Sequence, residues 1–261
     1  GELTADWVVF LDADECFTPE TRGRLRAEIE AADAAGTDLL LIQWRNIDAD
    51  TGAHLVDVYT PRIFRLKPEL RYQGRIHEQL CENGGLVRRT AVVPEDRLLL
   101  IHTGYSTHLS KAKAARNLRL LFADMAESEH PETLYMAIAE AYDGLGDEAM
   151  ALKYAYLDIE NGRQASTYAS RSYRILLRRL AARPAAFEER REAARRATED
   201  FPELPEFHAE YAECLAYGFD YAGARREAAA ALAAFDSYHG LEPLQFDAAM
   251  RAAVEERRAL W

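Results

Sequence analysis

Hydrophobic and polar positions change their periodicity near residue 108. Before that point, short runs of β-branched and aromatic residues, some continuous and some alternating with polar positions, predict strands. They lie at residues 7–11, 39–44, 56–59, 62–65, 86–93 and 98–102. Between the first two, Thr18 as N-cap and Pro19 at the first helical position predict a helix that Gly36 ends. Residues 1–108 are therefore predicted to form an α/β domain.

From Ser110 onward, apolar positions recur at helical spacing and the strand patterns disappear. Two pairs of predicted helices match at an offset of 73 residues, which aligns Asp147 with Asp220, and a less regular pair fills residues 168–201. Small residues where two helices would cross, with a tight turn between the helices, are typical of stacked helical hairpins. The sequence therefore predicts an all-α domain at residues 109–261.

The first of these hairpins resembles a tetratricopeptide repeat, because aromatic, small and glycine positions fall where that repeat has them. The matching residues are Tyr135, Ala139, Tyr142, Gly146 and Ala151. The later copy departs from the pattern, with Leu215 in place of the second tyrosine and Phe219 in place of the glycine. A plain helical bundle stays open as the alternative. Either architecture would offer a surface for a protein partner.

Composition narrows the function classes. The chain has 261 residues, with 32 Lys and Arg against 44 Asp and Glu, and a net charge of −12. This balance argues against non-specific nucleic-acid binding, which needs a basic surface. No apolar run reaches the ~18 residues of a membrane span. Cys16, Cys81 and Cys214 are too widely spaced for a disulfide framework or a zinc site. Reduced thiols favour a cytoplasmic protein, and peripheral membrane association stays open.

Three carboxylates, Asp12, Asp14 and Glu15, directly follow the first predicted strand. Ligand sites of open α/β sheets gather at such strand ends, and oxygen ligands suit a hard divalent cation that bridges two phosphates. A loop that merely caps the next helix is one alternative. A phosphohydrolase of the haloacid-dehalogenase type is another. It is disfavoured because Cys16 stands where that family carries Thr or Val, and its other motifs are not found.

Residues 6–15 resemble the D-x-D region of family 2 glycosyltransferases, which have the GT-A fold. Further segments follow in that family's order. Residues 61–65 resemble its R-x-F-R strand, 74–78 its G-x-[IV]-H-E segment, 100–106 its histidine-containing strand end, and 111–117 its K-x-x-R-N helix. The similar subgroup includes lipopolysaccharide-core glucosyltransferases and bacterial glycosyltransferases fused to tetratricopeptide repeats. The resemblance implies a partial GT-A sheet followed by such helical repeats.

The same resemblance assigns roles. Asp14 and His102 would bind Mn²⁺ or Mg²⁺, which holds the diphosphate of a nucleotide-sugar donor, and Asp12 would contact the ribose or the metal through water. Glu78 would be the general base of an inverting transfer. Arginines would neutralise phosphate charge; these are Arg62, Arg65 and Arg75. A strand-end histidine at His102 and a surface carboxylate at Glu78 stay open as alternatives. The acceptor, whether glycan, lipid or protein, is not specified.

Family 2 enzymes begin with strands that hold the nucleotide base, whereas only residues 1–11 precede the D-x-D motif here. We therefore expect this chain to lack the base-binding part, to bind nucleotide sugar weakly or not at all, and to be inactive. Exposed strand edges would favour a homodimer. A micromolar dissociation constant for a nucleotide sugar would contradict the expected weak or absent binding of the donor. The alternative function is a helical scaffold for protein interaction that carries a non-catalytic α/β part.

Overall fold

The computed structural model describes residues 5–74, 78–105, 110–164 and 166–261. The chain divides into two compact units, Gly1–Leu120 and Leu121–Trp261. The first unit is mainly a mixed β-sheet, and the second is helical throughout the part that the structure describes. An α/β region followed by a helical region is thus confirmed. The helix Ser110–Glu127, called α2 below, contains the point of division.

The first unit contains nine strands within the described residues, and helix α1 (Leu25–Ala34) lies between the second and third. The strands are β1 (Trp7–Val9), β2 (Glu15–Phe17), β3 (Leu39–Asp48), β4 (His54–Arg65), β5 (Leu70–Gln73), β6 (Gln79–Glu82), β7 (Gly85–Leu86), β8 (Thr90–Val93) and β9 (Leu99–Tyr105). The larger sheet has the order β1-β4-β3-β9-β2, and β8 also pairs with β3. Strands β5, β6 and β7 form a small antiparallel sheet.

Strand β3 is the centre of the larger sheet. Strand β4 runs antiparallel along its whole length on one side. On the other side, β8 pairs in parallel with residues 39–42 and β9 pairs in parallel with residues 43–48. The segment 94–98 leaves the sheet between these two strands. Strand β9 then lies between β3 and β2, so that it carries His102 into the interior of the sheet.

Alternate residues of β3 pack on opposite faces, as the two-residue period of a strand requires. Leu40 and Ile42 join a core cluster that includes Ile29 of α1. Leu39 packs on the other face against Phe64 and other side chains of a second cluster. Because both faces of its first half are covered, β3 begins with a continuous apolar run instead of an alternating one.

The structure corrects several sequence-based boundaries. The first helix does not begin at Thr18, because the backbone N–H of Thr18 still donates to Leu99 O and prolongs the pairing of β2 with β9. Its hydroxyl pairs with that of Thr21, and α1 begins only at Leu25. The two strands predicted on either side of Pro61 are one strand, β4. Strands β2, β5 and β6 were not predicted because they are short and largely polar.

The second unit consists of helices joined by short turns. After α2 come α3 (Tyr135–Leu145), α4 (Glu148–Asn161), α5 (Arg171–Ala181), α6 (Phe187–Asp200), α7 (Pro205–Tyr217), α8 (Tyr221–Asp236) and α9 (Ala248–Leu260). The predicted break at Arg183 and Pro184 is confirmed, since a short 3₁₀ turn separates α5 from α6 there. Among the described residues, no helix combines the length and apolar character that crossing a bilayer requires.

The first and last hairpins, which match in sequence at an offset of 73 residues, also share structural features. Asp147 and Asp220 cap α4 and α8, each accepting a hydrogen bond from a backbone N–H three residues later. The residues before them, Gly146 and Phe219, both have left-handed backbone angles, with φ of 83° and 65°. Helical hairpins with a common turn are therefore confirmed, although Phe219 occupies a conformation that normally favours glycine.

Candidate functional site

The D-x-D loop, residues 10–14, connects β1 to β2 at the end of the first strand. Glu15 at the start of β2 pairs with His102 of β9, and the backbone N–H of Thr103 donates to Asp14 O at 3.1 Å. These backbone contacts attach the loop to the end of β9. The two residues assigned to the metal, Asp14 and His102, are 88 positions apart in sequence and are brought together in this way.

The Asp14–His102 pair is close. His102 Nε2 lies 3.3 Å from Asp14 Oδ2, and the other ring nitrogen, Nδ1, lies 2.8 Å from Asn46 Oδ1 of β3. Gly104 is indispensable to this approach, because a Cβ atom there would overlap Asp14 Oδ2 and lie 2.6 Å from His102 Nε2. His102 is buried, whereas Asp14 is exposed, so the pair is reached from solvent on the side of the loop.

Two β-bulges border the site. Leu40 pairs with Ile63 and Leu41 with Pro61, which leaves Arg62 as an extra residue in β4. Strand β9 likewise has one extra residue beyond His102 relative to β3. A bulge bends its strand and changes the direction of a side chain. Here one bulge contains Arg62, and the other lies in the segment that contains Gly104.

Arg62 binds the D-x-D loop through carboxylates. Its guanidinium donates to Asp12 Oδ2 at 2.7 Å and to Glu15 Oε1, and Glu15 Oε2 accepts from the backbone N–H of Asp12 at 3.0 Å. The Glu15 side chain is fully buried. Burial raises the pKa of Glu15, while the Asp12 N–H and the charge of Arg62 oppose that rise. Glu15 and Arg62 thus fix the loop that presents Asp12 and Asp14.

Aromatic rings complete the surroundings of the Arg62 guanidinium. It lies 5.1 Å from the ring centroid of Phe10 and 5.7 Å from that of Trp44. The Trp44 ring is also 4.3 Å from the imidazole of His102. A cation held against aromatic faces gains modest stabilisation and a fixed position. Trp44 therefore connects Arg62 with the Asp14–His102 pair on one face of the sheet.

Glu78 is exposed and precedes β6. It lies within electrostatic range of Tyr72, whose pKa is raised mainly by burial. Arg62 lowers that pKa, and the carboxylates of Glu78, Asp12 and Glu15 raise it further. Tyr72 itself packs against Phe10 of the D-x-D loop, with ring centroids 5.8 Å apart. Among the described residues, no direct contact joins Glu78 to that loop.

Arg65 is placed apart from the D-x-D loop by the contacts it makes. Its guanidinium pairs with Asp33 at 2.7 Å and with Asp38 at 3.2 Å, and it lies over the ring of Trp7. The structure therefore does not bring Arg65 together with Asp12 and Arg62. Arg75 lies outside the described residues, so its position is not part of the observed site.

The buried carboxylate of Asp38 also binds Lys67 at 2.6 Å and Arg89 at 2.8 Å. Burial alone would raise its pKa, but these cations outweigh that effect and hold the pKa below its usual value of 3.8. Asp38→Asn should therefore lower the free energy of unfolding by about 2 kcal/mol at neutral pH. Urea unfolding of this variant, with the exposed-loop variant Asp96→Asn as control, measures the loss.

The pH dependence of that loss has a definite sign. The folded pKa of Asp38 is lower than the unfolded one, so its stabilisation is present above about pH 4 and is lost as the pH falls through the lowered value. The difference between wild type and Asp38→Asn should shrink in acid. A difference that stays constant down to about pH 3 would contradict the ion-pair explanation.

The donor set of the Asp14–His102 pair fits a divalent cation. A carboxylate oxygen and an imidazole nitrogen are both ligands that Mn²⁺ accepts. Burial lowers the pKa of His102, against the opposing charge of Asp14, so the ring is neutral at neutral pH as a metal ligand must be. Within the described ranges, no group of three or more His, Cys, Asp or Glu side chains is arranged to hold a metal. Further ligands would come from phosphate oxygens and water.

Sequence reasoning missed several residues that shape this site. Asn46 contacts His102, Gly104 leaves room for the Asp14–His102 pair, and Tyr72 packs against Phe10 of the loop. The signals in the sequence were weak: Asn46 is one of several polar residues in the second half of β3, and Gly104 lies in the segment 100–106 that resembles the family's strand end. The need for a glycine at Gly104 becomes clear only in the folded structure, where Asp14 and His102 approach its Cα atom closely.

Comparison with known proteins finds distant sequence similarity to two glycosyltransferases. No protein-family model matches the chain. Glycosyltransferase SunS of Bacillus phage SPbeta and the SPbeta prophage-derived glycosyltransferase SunS of Bacillus subtilis strain 168 are each 26% identical to it over 161 residues. The chain is related to glycosyltransferases. The match covers 60% of this chain and 36% of each relative, so the chain spans about a third of their length.

Two solved structures share a general likeness with the chain. Crystal structures of MamA and of MamA protein each cover 57% of this chain, and 88% and 82% of their own, with 10% identity and a TM-score of 0.38. A TM-score this low adds nothing to the assignment of the fold. The helical hairpins rest on the turns and caps described above.

Proposed function

We propose that the first unit carries the catalytic centre of a metal-dependent, inverting family 2 glycosyltransferase that uses a nucleotide-sugar donor. The single observation that carries the proposal is the 3.3 Å separation between Asp14 Oδ2 and His102 Nε2 at the end of β9. The order of the sequence motifs and the distant relation to glycosyltransferases support it. The lipopolysaccharide-core-like subgroup and the tetratricopeptide character of the helical unit belong to the same proposal.

In this proposal, Asp14 and His102 would hold Mn²⁺ or Mg²⁺, and the bound cation would supply charge neutralisation for a nucleoside diphosphate leaving group. Asp12 contacts the ribose, or a water on the metal, from the position in which Arg62 holds it. Arg62 also has a buried Nε atom with no hydrogen-bond partner among the described residues. Because that N–H is buried, a phosphate would reach Arg62 at the guanidinium edge that holds Asp12, in keeping with the affinity of guanidinium groups for phosphate.

Glu78 is the proposed general base. As the acceptor oxygen forms its bond to the anomeric carbon, the bond from that carbon to the diphosphate breaks, and the acceptor's proton passes to the Glu78 carboxylate. Attack from the face opposite the leaving group inverts the configuration. Glu78 is exposed, so an acceptor could reach its carboxylate from solvent. The acceptor and the partner of the helical unit remain matters of proposal.

Substoichiometric Mn²⁺ tests the metal site directly, because its unpaired electrons broaden the resonances of nearby nuclei. We expect the imidazole signals of His102 to broaden in the wild-type chain and to stay sharp in Asp14→Asn. Asp96→Asn, which removes an exposed carboxylate elsewhere in the first unit, should broaden like wild type. Calorimetric titration with Mn²⁺ and uridine, guanosine or thymidine diphosphate then identifies the nucleotide.

Equal broadening in wild type and Asp14→Asn would overturn the metal assignment. If His102 stays sharp in the wild-type chain at every Mn²⁺ concentration, the alternative is favoured. In that alternative, the helical hairpins recruit a protein partner and the α/β part is not catalytic.

A further inference from the structure

Asn46 stands at the junction of three strands. It lies in β3, opposite Val56 of β4 on one side and opposite His102 of β9 on the other. Only 1% of its surface is exposed. An amide buried so completely must have its donors and acceptor satisfied by specific neighbours. Its environment therefore determines which way the amide points.

The backbone fixes the orientation of this amide. Asn46 Nδ2 lies 3.1 Å from Val56 O and 3.5 Å from Trp44 O, and both of these atoms can only accept hydrogen bonds. If the amide were turned over, its oxygen would face two carbonyl oxygens in a buried place, where an unsatisfied polar contact is costly. Nδ2 therefore faces the carbonyls, and Oδ1 faces His102 at 2.8 Å.

This orientation selects the proton position on His102. Asn46 Oδ1 can only accept, so the atom facing it, His102 Nδ1, must carry the hydrogen. In a neutral imidazole the other nitrogen then has the lone pair. That nitrogen, Nε2, is the one that lies 3.3 Å from Asp14 Oδ2. His102 Nε2 and Asp14 Oδ2 could therefore both donate a lone pair to the same cation.

We propose that Asn46 is a positioning residue that holds His102 in the Nδ1–H form and so directs the Nε2 lone pair to the cation shared with Asp14. The register of the strands supports this assignment. Both the ladder with β4 and the ladder with β9 shift by one residue directly after Asn46. Regular pairing therefore ends at the residue that contacts the imidazole, as is common where a strand aims a side chain into a site.

The proposal rests on the proposed metal site, but its first test does not need the metal. The ¹⁵N shifts of the neutral His102 ring, measured without metal, should show a pyrrole-type Nδ1 and a pyridine-type Nε2 in the wild-type chain. A wild-type ring protonated mainly on Nε2 would overturn the inference, whatever Mn²⁺ does. Mn²⁺ binding that is unaffected by Asp14→Asn would instead overturn the proposed function.

Two substitutions separate positioning from packing. Asn46→Leu removes the acceptor at similar volume and should admit the Nε2–H form and weaken Mn²⁺ binding about 10- to 100-fold. Asn46→Asp keeps an acceptor oxygen toward Nδ1, and protonation of its other oxygen would supply the donor that Val56 O and Trp44 O require. In that protonated form it should keep the Nδ1–H tautomer and most of the affinity. Gln43→Leu makes the same chemical change in the same strand, where the amide contacts Asp57 instead, and should leave both readouts unchanged.

The outcomes are distinguishable even if one variant is unstable. If Asn46→Leu keeps the wild-type tautomer and Mn²⁺ affinity, Asn46 has only a structural role and the inference fails. If Asn46→Leu does not fold, as judged by circular dichroism, the wild-type ¹⁵N shifts and the Asn46→Asp comparison still decide the matter.

Discussion

Replacing Arg62 by methionine is expected to lower the free energy of unfolding of the first unit by about 3–5 kcal/mol. The guanidinium is the cationic partner of Glu15, whose side chain is fully buried. Without it, the N–H of Asp12 is the remaining hydrogen-bond donor to that carboxylate among the described residues. An unpaired buried charge costs far more than the net value of the pair. Urea unfolding followed by tryptophan fluorescence measures the loss, because Trp7 and Trp44 both lie in this unit.

A double variant tests whether the unpaired charge of Glu15 causes the stability loss of Arg62→Met. Glu15→Leu combined with Arg62→Met removes both charges, and it should recover most of the stability that Arg62→Met loses. Arg24→Met, which removes an exposed arginine that donates to Asp96 O, should change stability by no more than about 0.5 kcal/mol. If the double variant is as unstable as Arg62→Met, lost packing against Phe10 and Trp44 explains the effect better than the buried charge.

The stability loss of Arg62→Met should depend on pH. Burial already raises the folded pKa of Glu15 above its usual 4.5, and Arg62 opposes that rise. Removing Arg62 raises the pKa further. Because an acid with a raised folded pKa favours the folded state most when it is protonated, the deficit of Arg62→Met should be smaller at about pH 5 than at about pH 8.

Gly104→Ala should abolish most metal binding and also lower the stability of the first unit, because the buried imidazole of His102 is held by Asn46 and must shift. The new methyl group would occupy the space of Asp14 Oδ2 and crowd His102 Nε2. The carboxylate of Asp14 is at the end of an exposed side chain and can rotate away at little cost. We therefore expect a loss of Mn²⁺ affinity of about 10- to 100-fold, the size seen when groups that orient metal ligands are disturbed.

Gly23→Ala is the matched control for Gly104→Ala. A Cβ atom at Gly23 would meet nothing within 4 Å, so this variant should bind Mn²⁺ like wild type. Thermal unfolding of Gly23→Ala should stay close to that of wild type, whereas Gly104→Ala should unfold at a lower temperature. Unchanged Mn²⁺ affinity in Gly104→Ala would show that the Asp14–His102 separation does not matter for binding.

The sequence was informative wherever periodicity and local chemistry agree with the tertiary structure. The apolar run of β3 and the helical spacing of the second unit predicted the main elements. The caps Asp147 and Asp220 were recognisable as matching positions because a capping carboxylate acts on its own helix. The association of Asp14 with His102 came from family resemblance, because no local rule relates residues so far apart.

What the sequence could not provide depends on pairing between distant strands. The start of α1 was placed too early because the extension of β2 along β9 outweighs a good capping sequence at Thr18. Arg62 and Arg65 look equivalent in sequence, but the bulge at Arg62 and the acidic partners of Arg65 separate their environments. Asn46 and Gly104 acquire a role only after three strands are assembled.

The parallel pairing of β3 with β9 also affects the order in which the molecule assembles. Residues 43–48 of β3 must meet residues 99–105, so a long loop closes before this contact stabilises anything, whereas the helical hairpins close over short turns. During refolding, helical circular dichroism should therefore return before the ligands for a cation come together. Recovery of helix content is therefore a poor indicator that Asp14 and His102 have come together, and a cation at the proposed site would bind only in the last stage of folding.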